Sequence, residues 1–283
     1  MSLLIQFLLR LTFGLALGMA ITSPKLVTSG YFRNHLYVTL GLASLAALLS
    51  VSVAPETFVY ALVAAVCSYL GSVYWLFEKP AAGKLMLFIV TLAALMGAAN
   101  QVSHVASKVK DPHDGVNSES SVREAIGTAA AVELPKQAMG LARSGGFLSE
   151  AAIFSSGLLL GMTMAAMLLG HWYLNTPTME LVPLRRLIVA MGFAVGLQTV
   201  LSTWGLWGEI AATEQVSPQW ILFVVLRWTF GLVGVAAMTW MAWQTLKIPN
   251  TQSATGILYV AVIGSFVGET MALLLSSESL FPL

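Results

Sequence analysis

Eight long apolar stretches, separated by short connections rich in proline and charge, leave this 283-residue chain few ways to fold. A helix needs roughly 20 apolar residues to cross the ~30 Å hydrocarbon core of a bilayer, because each residue adds about 1.5 Å. Stretches that meet or nearly meet this length fall at about 3–22, 36–54, 57–77, 84–101, 150–174, 184–210, 219–246 and 253–276. The sequence therefore predicts an all-α polytopic transmembrane bundle of about eight helices. Only Pro55 and Glu56 separate the second stretch from the third, which predicts a tight helical hairpin. Pro80, Pro177, Pro183, Pro218 and Pro249 fall in expected connections, where a missing N–H does least harm.

Composition supports the bilayer as solvent. The chain is 57% hydrophobic and 10% charged, with a mean hydropathy of +0.81. A soluble domain carries about a quarter charged residues. A net charge of +1 without a basic run implies no attraction to nucleic acid. Cys67 is the sole cysteine, which excludes an intrachain disulfide and a Cys-rich metal or iron–sulfur site. The opening stretch has no basic residue ahead of it and no small-residue cleavage site, so it reads as a retained first helix rather than a signal peptide.

One connection is long and polar. Residues 102–149 divide the chain into a first four-helix half, 1–101, and a second, 150–283. Within this connection, Ser121 to Ala131 has the composition of a short surface helix, and Gly145-Gly146 reads as a hinge before the fifth span. The basic residues set the expected orientation. Lys25, Arg33, Lys79, Lys84, Arg185, Arg186 and Lys247 all fall in odd-numbered connections, and the short even-numbered ones hold none. Positive connections stay cytoplasmic, whereas a long loop crosses largely regardless of charge. The expected topology is thus N-out/C-out in a cytoplasmic (inner) membrane, with the long loop on the extracytoplasmic side.

Small residues four apart let membrane helices approach closely, which matters because lipid is as apolar as the helices themselves. Such pairs occur at Gly14/Gly18, Gly157/Gly161, Gly192/Gly196 and Gly264/Gly268, and are expected to pack the bundle. Leu9 to Leu15 (LRLTFGL) nearly repeats as Leu226 to Leu232 (LRWTFGL), in the first and seventh helices. A four-plus-four duplication would instead pair the first helix with the fifth. Trp75, Phe77, Trp172, Tyr173, Trp220 and Trp243 lie near expected helix ends, at headgroup level. Trp204 and Trp207 fall near the outer end of the sixth helix, as belt anchors or as part of a polar site.

Charges within the spans are the most informative residues. An ionised side chain at the bilayer centre costs about 2.5–3.5 kcal/mol on insertion scales, so it marks a functional or tightly paired position. Arg10, Arg227 and Glu269 all fall in the outer half of the expected bilayer, on the first, seventh and eighth helices. They are expected to meet in one polar pocket. Either Glu269 locks an arginine partner structurally, or the surplus arginine faces a lipid phosphate, an anion or a quinone carbonyl. Glu209 lies nearer the surface on the sixth helix and is a secondary candidate. His35 and His171 form a second polar pair of candidates toward the cytoplasmic side, where a hydrogen-bonded anchor or a quinone contact fits better than a buried haem ligand pair.

The chain shows no nucleophile elbow, phosphate-binding loop or His-Glu-x-x-His pair, so no catalytic signature stands out and no metal or cofactor of its own is expected. In outline, with eight helices, a buried Arg/Glu cluster and no cofactor ligands, the chain is similar to the haem-free membrane anchors of molybdopterin reductases. The similarity is architectural, and no sequence motif carries it. It implies a membrane subunit of an electron-transfer assembly, partnered by lipids and other subunits, with a quinone or bound lipid as its ligand. A small-solute transporter and a membrane scaffold are the alternatives.

Overall fold

The computed structural model describes the backbone of residues 1–110, 136–176, 178–212, 217–248 and 250–278, with side chains described except at 102–110, 136–147, 212, 277 and 278. The described residues form eight helices long and apolar enough to cross a membrane, and no strand. They are α1 (Ser2–Ile21), α2 (Ser29–Val53), α3 (Pro55–Leu76), α4 (Pro80–Lys110), α5 (Lys136–Asn175), α6 (Val182–Ala212), α7 (Pro218–Lys247) and α8 (Thr251–Glu278). An even number of crossings returns the chain to the side where it began. The end of the bundle where α1 begins and α8 finishes is the terminal end, and the other the far end.

Helix ends differ from the hydropathy reading in a consistent direction. Helix α2 starts seven residues earlier than expected, through Arg33 and Asn34, because polar residues at a bilayer edge lose no hydration by being helical. Pro55, Pro80, Pro183 and Pro218 lie in the first turns of α3, α4, α6 and α7 rather than in free connections. A first-turn residue needs no N–H for an intrahelical bond, so proline starts these helices. Ser217 caps α7 by accepting the Trp220 N–H at 3.1 Å. Helices α4 and α5 also run on into the polar connection, so Gly145 and Gly146 lie inside α5 instead of forming a hinge. Good helix formers such as Gln137, Ala138 and Leu141 favour that extension. The expected surface helix at 121–131 falls outside the described residues.

The two halves share one order of contacts. In the first half α1 packs on α2 and α4, and α3 closes the ring between them. In the second half α5 packs on α6 and α8, and α7 closes that ring in the same way. Helices α1 and α5 pair with each other at the centre, and both are largely buried. This arrangement equates α1 with α5, not with α7, so the repeated LRxTFGL segment does not mark structurally equivalent helices.

Glycine decides the central contact. A Cβ on Gly14 would overlap the Gly157 carbonyl, and one on Gly161 would land on the Gly14 backbone. A Cβ on Gly18 would lie 2.6 Å from that of Ala165. Residues 14 and 18 thus meet 161 and 165 in register, which makes α1 and α5 parallel. A second close contact joins α7 to α8, where a Cβ on Gly231 would lie 2.6 Å from Gly268 Cα. The pair at Gly192 and Gly196 behaves otherwise. Gly196 has open space around its missing side chain, and Gly192 meets only a methyl of Thr239 at 3.7 Å.

Helix α7 is not uniform. Between Pro218–Leu226 and Val235–Lys247 it passes through a π-helical segment, Arg227–Gly234, although no proline lies there. Such wide turns occur mostly at functional sites or where a helix accommodates an extra residue.

Candidate functional site

Arg10 projects from α1 in the terminal half of the bundle, where α4, α5 and α8 surround it. Its Nη1 donates to Glu269 Oε1 at 2.5 Å and to Ser156 Oγ at 3.0 Å. Its Nε donates to Gln6 Oε1, one turn earlier on α1, at 3.3 Å. Gln6 in turn donates from Nε2 to the Ala98 carbonyl on α4 at 2.9 Å. Arg10 and Glu269 are 8% and 5% exposed, so the ion pair is shut off from solvent and lipid alike. A buried pair of this kind needs further hydrogen bonds to persist, and Gln6 and Ser156 supply acceptors to Nε and Nη1 of Arg10.

Arg227 opens the π-helical segment of α7 and is equally buried, at 4% exposure. Its Nη2 donates to Ser202 Oγ on α6 at 2.7 Å, and its Nη1 reaches the Gly268 carbonyl at 3.4 Å. Gly268 precedes Glu269, so both arginines address the same turn of α8 from two sides. Arg227 is within electrostatic range of both Glu269 and Arg10. Its Nε has no acceptor. A buried donor left unsatisfied costs about 1–3 kcal/mol.

The layer is wider than the charges. Ser155 on α5 donates to Gln198 on α6, one turn before Ser202. Glu209 is buried on α6 as well, and is engaged in an interaction of its own. Arg10, Arg227, Glu269 and Glu209 stand out in the sequence as charges within spans, whereas Gln6, Ser155, Ser156, Gln198 and Ser202 do not. Spacing offered a partial signal. Gln6 stands one helical turn from Arg10, and Ser202 stands two turns from Glu209 on one face of α6.

The histidines lie apart from this layer. His35 Nδ1 is 2.6 Å from the Tyr31 carbonyl, and its ring packs 4.4 Å from that of Tyr31. His171 is exposed and shares a 3.2 Å contact with the Tyr259 hydroxyl. The two imidazoles are within electrostatic range but hold separate local partners. Among the described residues no three His, Cys, Asp or Glu side chains gather as a metal site. Trp204 and Trp207 face outward from α6, 62% and 79% exposed, and do not line the buried layer. No protein-family model, curated protein or solved structure matches this chain.

Proposed function

We propose that the chain is the membrane subunit of a larger electron-transfer assembly, with the Arg10/Arg227/Glu269 layer as a pocket for the carbonyl head of a lipid-soluble quinone. The observation that carries this reading is the unused Nε donor of fully buried Arg227, beside an ion pair that already consumes the only glutamate of the trio. A buried guanidinium with a spare donor gains from any acceptor that arrives, and a quinone carbonyl brings one without bringing a charge. Lipid solubility fits a donor buried within the apolar spans. The basic residues of the far end favour a cytoplasmic position for that end, and with it an extracytoplasmic position for this pocket in a cytoplasmic membrane.

Gentle solubilisation from native membranes tests the proposal. About one quinone per chain and stoichiometric redox subunits are the expected yield, with quinone lost from Arg227→Gln. A chain that purifies alone and carries no quinone refutes it.

A second reading, a small-solute transporter, draws on two other observations. The π-helical segment breaks the regularity of α7 at mid-span, and the halves share one contact order, as parallel repeats do. Solute uptake by liposomes holding the chain alone would favour this reading over the first.

A further inference from the structure

At the far end of the first half, two opposite charges face a common cavity without meeting. This cavity, of about 390 Å³, lies between the α1–α2 connection and the α3–α4 turn, and its walls include Lys25, Thr28, Ser29, Trp75 and Glu78. Its size falls within the range of small-molecule sites, about 300–1,000 Å³. Lys25 and Glu78 are both exposed, and neither has an ion-pair partner among the described residues.

The wall carries further unused donors. Thr28 is the N-cap residue of α2, yet its hydroxyl does not cap the helix and instead accepts the Trp172 indole N–H at 3.0 Å. The first turn of α2 also holds no acidic residue. The positive end of a 25-residue helix is therefore left uncompensated beside Lys25.

A plain anion would suit Lys25 and the start of α2 but would be repelled by Glu78. A plain cation would meet the reverse conflict. A head group with both signs satisfies both walls, and the height of the cavity, level with the helix ends, is that of lipid head groups. We propose that this cavity binds an aminophospholipid head, with its phosphate at Lys25 and the α2 N-terminus and its ammonium at Glu78. The proposal does not depend on the function assigned to the Arg/Glu layer.

Native mass spectrometry of the delipidated full chain in detergent, titrated with phosphatidylethanolamine or phosphatidylglycerol, tests it. One phosphatidylethanolamine per chain is expected, held in preference to phosphatidylglycerol. Lys25→Gln and Glu78→Gln should each weaken its retention about fivefold, the effect of one interfacial charge. Glu78→Gln should not weaken phosphatidylglycerol binding. Equal retention of the two lipids by the unsubstituted chain, or indifference of phosphatidylethanolamine to Glu78→Gln, overturns the proposal. The lipid comparison stands even should a variant fail to fold. Soluble phosphoethanolamine in excess separates the sources: displacement means that the head alone is recognised, and persistence ties the site to the intact lipid.

Discussion

Arg10 on α1 and Glu269 on α8 form a 2.5 Å ion pair across 259 residues of sequence, which joins the first helix of one half to the last helix of the other. Arg10 finds its counter-charge in the other half rather than in its own. The pair therefore sets the register between α1 and α8 in a setting where apolar contact alone is weakly directional.

Replacing Glu269 by glutamine leaves Arg10 buried without its counter-charge. Removing one partner of such a pair typically costs about 3–5 kcal/mol. Glu269→Gln is expected to lower the melting temperature of the purified protein strongly. The double variant Arg10→Gln/Glu269→Gln should recover much of that loss, since no lone charge then remains. A double variant as unstable as the single one would mean that the ion pair is not what Glu269 contributes.

The central glycine contact gives a sharper contrast. Gly14→Ala forces a methyl onto the Gly157 carbonyl, and α1 must move away from α5. Overpacking costs about 1–3 kcal/mol in ordinary cores, and here the obstacle is backbone, which yields least. Gly196→Ala meets open space and should be neutral or stabilising by up to about 1 kcal/mol, the helix-propensity difference. Thermal unfolding of the two variants side by side decides the matter, and equal melting temperatures would refute the parallel α1–α5 contact.

Much of this was legible in the sequence, for physical reasons that also mark where legibility stops. Lipid demands apolar length, so the number of spans and their centres are written in hydropathy. Helix ends are not, since Arg33 and Lys84 are as helical as their apolar neighbours. Arg10 and Glu269 declared themselves because a charge at that depth needs a partner. Ser156 and Ser202 did not. Hydroxyls inside a span can satisfy themselves on their own helix, as Thr12 does on the Leu8 carbonyl and Thr163 on the Leu159 carbonyl, both at 2.7 Å. Nothing in the sequence separates those from hydroxyls that reach across to another helix. The glycine pairs show the same ambiguity, since Gly14/Gly18 and Gly192/Gly196 have one spacing and only the first meets a backbone.

Sidedness rests on the basic residues, and cysteine labelling tests it. In a Cys67→Ser background, single cysteines at Asp114 and Gly145 should react with a membrane-impermeant thiol reagent added to intact cells. Cysteines at Lys79 and Lys247 should react only after the cells are permeabilised. The opposite pattern would reverse the orientation and move the Arg/Glu layer to the cytoplasmic half.

Arg227 separates a binding role from a purely structural one. Its guanidinium spans the Ser202 hydroxyl and the Gly268 carbonyl at once, and still presents Nε. Lysine keeps the charge but is a compact point donor and cannot reproduce that fork. Arg227→Lys should therefore fold, with melting close to that of the unsubstituted chain, yet lose most of the quinone that co-purifies with it. Arg227→Gln should lose the quinone as well and, because a neutral side chain is cheaper to bury than an unpaired cation, need not be less stable than the lysine variant. Ser202→Ala removes one of the two anchors while leaving the charge, and should weaken retention by less than either, about the worth of one hydrogen bond to a charged group, roughly 1.5–3 kcal/mol at most. A purely structural Arg227 makes a different prediction: stability falls in the order Ser202→Ala, Arg227→Lys, Arg227→Gln, while quinone content per folded chain stays constant. Measuring melting and extracted quinone on the same preparations tells the two apart, and constant quinone content across the series would remove the main support for a head-group pocket at this layer.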